Sequence, residues 1–165
     1  MRELISNASD SLEKLRHKQV SGEAISDPDA SLEITVSVDP EAGTLTVSDA
    51  GVGLSRDEMV SLLGTIARSG SKAFVAENKA KEGDSAGAAE SIIGQFGVGF
   101  YSAFMVGSKV EVASQPADPT AAAHVWASEG SGSYSIEPLA AEGGGAAAAL
   151  GRGCRITIHL KEDQK

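Results

Sequence analysis

Residues 2–18 carry one amphipathic pattern: Leu4, Ala8, Leu12 and Leu15 recur at three- and four-residue spacing, the period of a helix that buries one face. That helix needs an apolar layer to lie on, so the chain has to supply a second layer. The same winding sets Glu3, Asn7 and Asp10 in a polar stripe beside the apolar face. A carboxylate able to act as a base, an amide oxygen able to ligate a metal and a second acid then look one way along one helix, which is the chemistry of an ATP site. The plain alternative is a solvated stripe, with Asp10 and Lys14 as an i, i+4 ion pair worth about 0.3 kcal/mol. The helix alone does not separate the two.

A polar connection through Asp27, Pro28 and Asp29 ends the helical pattern, and a β-hairpin follows. Leu32, Ile34, Val36 and Val38 alternate with Glu33, Thr35 and Ser37, residues 39–43 form the turn, and Leu45 and Val47 resume the alternation. Asp49 falls on the face of Leu45 and Val47. An acid in register with a buried row is costly unless a hydrogen-bonding partner compensates it; a carboxylate at a strand end leaning into water is the other possibility. Gly51 and Gly53 come next and allow close approach of backbone to a ligand, although two glycines are also ordinary in a strand-to-helix turn. Ser55 and Glu58 then form a capping-box pattern ahead of Met59, Leu62, Leu63 and Ile66.

From 67 to 91 the sequence turns small and polar, with Arg68 and Lys72 as its notable charges, and reads as a lid, the low complexity of 80–90 leaving a surface loop without a role as the alternative. Gly94, Gly97 and Gly99 precede an apolar helix expected through Tyr101, Phe104 and Met105. Bare N–H groups at such a junction suit a polyphosphate, but the spacing matches neither a Walker loop nor the dinucleotide fingerprint, and a generic glycine turn stays open. Strands are expected over 109–114, 125–127, 134–137 and 154–160, closing one sheet. Cys154 shares a face with Ile156, Ile158 and Leu160 and reads as a small buried residue rather than a reactive thiol. Trp126 reads as core or interface. Residues 139–153 are Ala/Gly-rich and read as a surface insertion without function.

At 165 residues with 41% hydrophobic content the chain suits one domain. A formal charge of -9 disfavours a phosphate backbone as partner. One cysteine excludes an intrachain disulfide, and His17, His124 and His159 lack zinc-ligand spacing. No apolar run reaches the roughly 18 residues that span a bilayer, so a membrane is not expected as partner.

Four stretches, R-E-L-I-S-N-A-S-D-S-L-E-K-L-R at 2–16, D-A-G-V-G at 49–53, L-G-T-I-A-R-S-G-S-K-A-F at 63–74 and I-G-Q-F-G-V-G-F-Y-S-A-F at 93–104, stand in order. With G-R-G-C-R-I-T-I-H-L-K-E-D at 151–163, they closely resemble the N-terminal ATPase domain of the heat shock protein 90 chaperone family over nearly the whole chain. The resemblance implies an α+β fold, a two-layer sandwich of a mostly antiparallel sheet with helices on one face, shared with gyrase, histidine kinases and mismatch-repair ATPases. It also implies ATP or ADP with Mg2+ as ligands, and client proteins, co-chaperones and a second copy as partners of the longer protein. R-H-K at 16–18, 67–74 and A-F-M-V at 103–106 look most like the mitochondrial, tumour-necrosis-factor-receptor-associated form, which implies a mitochondrial location; otherwise the location is cytoplasmic.

By that resemblance Glu3 matches the base that orients water against the γ-phosphate, and Asn7 the magnesium ligand, with Asp10 beside it. Asp49 matches the acid that accepts from the adenine amino group, and Gly53 the glycine beside the base. Arg68 matches a basic residue of a lid over about 67–99, and Gly97, Val98, Gly99 and Phe100 the phosphate-binding turn. The chain departs from the family at four pocket positions. Leu62 replaces an asparagine near the ribose, Leu54 a methionine lining the adenine pocket, Cys154 a threonine of the polar network around Asp49, and Ala50 a threonine or asparagine. Relative to the family, the chain starts at the Arg-Glu-Leu motif, without a preceding strand and helix, and stops before the middle and dimerisation domains. An exposed sheet edge and very slow hydrolysis are therefore expected. The rival readings are a nucleotide-sensing module without turnover and a topoisomerase or mismatch-repair ATPase.

Overall fold

The computed structural model describes residues 1–64, 100, 102–139 and 150–164. Helix α1, Arg2–Val20, runs two residues beyond the expected 18 and buries Leu4, Ala8 and Leu15. It closes where Ser21 donates from both N–H and Oγ to the His17 carbonyl. The hairpin follows as β1, Ile34–Asp39, and β2, Thr44–Asp49. Its turn is held by the Asp39 carboxylate, which accepts from the N–H groups of Glu41 and Ala42 at 3.0 Å each, the local Asx bonding that makes Asp a turn residue.

Beyond the glycine turn the capping box forms as its pattern requires. Ser55 Oγ accepts from Glu58 N at 3.2 Å, and Glu58 Oε2 accepts from Ser55 N at 2.7 Å. The helix it opens, α2 (Arg56–Glu58), passes at once into a π-helical turn, Met59–Leu63, with Met59 and Leu63 buried. Helix α3, Ser102–Val106, is less apolar in use than expected: Ala103 is buried but Met105 is 76% exposed. Ile66 and Tyr101 lie outside the described residues. Strands β3 (Gly107–Gln115), β4 (His124–Ser128), β5 (Ser135–Pro138) and β6 (Gly153–Leu160) complete the described fold.

The six strands form one antiparallel sheet in the order β1-β2-β6-β3-β4-β5. The α+β sandwich expected from the sequence is thus present, with α1 packed on the β1–β2 side. The core runs along the covered face. Trp126 is fully buried there against Phe100, Phe104 and Tyr134, with ring centroids 6.3, 6.4 and 6.0 Å away, within the range of favourable aromatic pairing. The chain's last strand sits in the middle of the sheet, and this brings residues from opposite ends of the sequence to one place.

Candidate functional site

That place is a cleft between α1 and the β2–β6 pair. Leu4, Asn7, Ala8 and Ser11 form the helical wall, Val47, Asp49, Cys154 and Ile156 the sheet wall, and Val52, Gly53 and Leu54 one end. The walls lie close together in this structure: the cavity volume is about 30 Å3, and the roughly 490 Å3 of space between the walls includes the open mouth. Its apolar walls hold few polar groups, so each polar group has a strong say in what binds.

Asp49 is the central one. Its Oδ1 accepts from Ser11 Oγ at 3.0 Å and from the Gly51 N–H at 2.9 Å. Among the described residues nothing donates to Oδ2. Burial raises the Asp49 pKa to about 6, with the Gly51 and Ser11 hydrogen bonds opposing the rise. The acid on a core face is therefore partly compensated from inside the protein and keeps one oxygen for a ligand.

Strand register explains its neighbours. Asp49 lies opposite Cys154, and Cys154 opposite Ser114. The Cys154 thiol is buried and pushed well above its usual value, first by burial and then by the Asp49 charge; it is an uncharged wall group, not a nucleophile. Ser114 Oγ accepts from Leu54 N at 2.7 Å and donates to the Gly153 carbonyl at 2.9 Å, fastening the glycine turn to the sheet. Gly53 needs to be glycine here, since its φ is +65° and a Cβ would lie 2.3 Å from the Gln115 carbonyl oxygen.

Asn7 lines the cleft, and its amide nitrogen is buried without a hydrogen-bond partner among the described residues. A buried amide end with no protein partner is a group left for a ligand. Asp10 is exposed but borders the cleft, as does Lys14, whose pKa burial lowers against the opposing charges of Asp10 and Glu58.

Other sequence-derived candidates fall elsewhere. Glu3 is exposed and off the cleft walls. Leu62 packs against the core, and the Phe100 ring is fully buried against Trp126 rather than facing the cleft. Leu54 does line it. Arg68, Gly97, Val98 and Gly99, with the rest of the lid expected over 67–99, lie outside the described residues. No cluster of three or more potential His, Cys, Asp or Glu metal ligands occurs among the described residues.

Two residues escaped the sequence reading. Ser11 was readable as i+4 from Asn7, but a serine on a helix is unremarked without knowing what lies opposite. Arg152, in a stretch read as functionless, is only 3% exposed. Its guanidinium donates to the carbonyls of Ala50 and Ser26 at 2.9 Å each and to that of Asp27. It thereby ties the 26–30 loop to the residue following Asp49.

Residues 1–142 match the family described as histidine kinase-, DNA gyrase B-, and HSP90-like ATPase. The chain belongs to this ATPase family. Among its relatives are the chaperone protein HtpG of Azorhizobium caulinodans, 49% identical over 165 residues, and that of Desulfitobacterium hafniense, 48% identical over 163. The mitochondrial heat shock protein 75 kDa of Bos taurus is 51% identical over 168 residues. These alignments cover 100%, 99% and 100% of this chain but 25%, 25% and 21% of the relatives. The chain thus spans about a quarter of the length of the curated relatives it matches. The matched range includes α1, Asp49 and the glycine turn that follows it.

Proposed function

We propose that the chain is the nucleotide-binding ATPase module of a heat shock protein 90-type chaperone, taking ATP or ADP with Mg2+ in the cleft between α1 and the β2–β6 pair. The observation that carries this is the half-satisfied Asp49: one oxygen is fixed by Ser11 and Gly51, and the other has no donor among the described residues at a cleft with apolar walls. An adenine ring suits it, because its exocyclic amino group donates to a carboxylate while its faces lie against apolar walls. Gly53 lines the end of the cleft where the base would lie.

Mg2+ fits the residues present. Its usual protein share is one or two oxygens, the rest being phosphate and water, and the Asn7 amide, whose nitrogen end is buried without a partner among the described residues, would supply one with its two ends exchanged. The ion's contribution is to neutralise phosphate charge. Glu3, one helical turn before Asn7, is the proposed base for water. Its exposure, off the cleft walls, favours a second reading in which this piece holds nucleotide without turnover.

Clients, co-chaperones and a second copy as partners belong to the whole protein and are part of the proposal, as is the location. Identities of 51% and 49% to mitochondrial and bacterial relatives favour the two compartments about equally, so the mitochondrial reading rests on residues 16–18, 67–74 and 103–106.

Calorimetric titration with ADP, with and without Mg2+, tests the proposal. Saturable binding is expected, lost in Asp49→Asn and made insensitive to Mg2+ in Asn7→Ala. A folded chain that binds no ADP overturns it. Glu3→Gln then separates the two readings: it abolishes turnover if Glu3 is the base, and changes nothing if the module only holds nucleotide.

A further inference from the structure

The strand that faces Asp49 offers it a poor partner. Cys154 lies directly opposite in register, and a thiol is a weak donor. Among the described residues the donors to Asp49 are Ser11 and Gly51, and Cys154 is not one of them. A carboxylate that must present one oxygen to a ligand needs its rotation stopped, and in this chain the stop comes from the helix. Ser11 meets the 49–53 turn in three ways. Its hydroxyl donates to Asp49 Oδ1 at 3.0 Å. Its carbonyl accepts from Val52 N at 3.3 Å. Its side chain also lies so close to Gly51 that a Cβ there would fall 2.1 Å from Ser11 Oγ. The first joins residues 38 positions apart, and all of them bear on the turn that carries the acid.

We infer that Ser11 is a positioning residue of the nucleotide site, whose hydroxyl supplies the orienting hydrogen bond that Cys154 cannot, so that Asp49 Oδ2 faces the exocyclic amino group of adenine. The inference rests on the nucleotide reading above and deepens it. Without the hydroxyl, Oδ1 keeps only the Gly51 N–H, and the carboxylate is free to turn about its last bond. The other ionisable groups at the cleft are Asp10 and Lys14 on α1 and Cys154 on β6; none of these donates to Asp49 among the described residues.

A structural serine and a positioning serine predict different selectivity. ADP presents a 6-amino donor and IDP a 6-oxo acceptor, so a correctly held carboxylate prefers ADP. Calorimetric affinities for both, in Mg2+, are compared for the wild-type chain, Ser11→Ala and the double variant Ser11→Ala/Cys154→Thr, with a thermal melt of each without nucleotide. In Ser11→Ala the ADP affinity is expected to fall about tenfold, with IDP affinity nearly unchanged, as befits loss of one hydrogen bond to a charged group. The added threonine hydroxyl opposite Asp49 is expected to restore the ADP preference.

An unchanged ADP-to-IDP ratio in Ser11→Ala, or an equal loss for both nucleotides, overturns the inference. So does a double variant that melts like the wild type yet fails to regain the preference. If the folded wild-type chain binds neither nucleotide, the nucleotide reading itself falls and the role of Ser11 with it, a result distinct from wild-type selectivity that survives the serine's loss.

Discussion

Asp49 shows how far a single residue can be read from sequence and where the reading stops. Strand parity puts an acid in register with a buried row but leaves open whether it leans into water, and it could not show Ser11 arriving from 38 residues away, because nothing local in a helix marks which serine will meet a distant turn. Arg152 was hidden for the same reason, its carbonyl partners lying over 100 positions away. The burial of Asp49 has a measurable consequence. With a folded pKa of about 6 against an ordinary 3.8, the folded chain keeps a proton between those values that the unfolded chain releases. Stability from this group is therefore fully present below about pH 4, falls as pH rises and is lost above about pH 6, a change of about 3 kcal/mol. An asparagine retains the Oδ1 acceptor for Ser11 and Gly51 and carries no charge. Asp49→Asn is expected to be more stable than the wild type at pH 7.5 by as much as that amount, and equal to it near pH 4, in urea unfolding at both values. A variant that is less stable at pH 7.5, or a difference that does not vary with pH, contradicts the burial account.

Elements were legible where their period was strong and short in range. The hairpin, the capping box and the later strands follow from alternation and cap chemistry, with ends displaced by a residue or two. The π-helical turn at Met59–Leu63 was not legible, since apolar spacing at 59, 62 and 63 suits an α-helix equally well. Within the β2–α2 connection, Gly53 was readable as permissive but not as required. Its requirement comes from Gln115 on β3 and a φ of +65°, both tertiary facts. Gly53→Ala should lower stability by about 2 kcal/mol from backbone strain alone, and more if the Gln115 carbonyl cannot shift. Because the same turn ends the cleft, ADP affinity should fall with it. A urea midpoint and ADP affinity both like those of the wild type would show that the turn tolerates a side chain.

Over the whole molecule, strand order is the property that sequence alone withheld. Consecutive strands pair for β1–β2 and β3–β4–β5, but β6 enters between β2 and β3, and only this insertion sets Cys154 beside Asp49. The resemblance to a known ATPase family conveyed the same architecture without that physical reason. The order also leaves β1 at an edge, where Val36 and Val38 are 47% and 62% exposed. They alternate with Thr35 and Ser37, so strand register places them on one face of the edge, and among the described strands the outer side of β1 pairs with none. The opposite edge, β5, is only four residues long and ends in Pro138, which lacks an N–H to donate. Association should therefore proceed through β1. Sedimentation of the chain over a concentration series is expected to show self-association that Val38→Lys reduces, because a charge on that face opposes close strand pairing. The same substitution should leave the apo melting temperature nearly unchanged, since Val38 is exposed and contributes little to the core. Equal association by both proteins would move the contact away from β1, and a large loss of stability in Val38→Lys would mean that this face is covered after all.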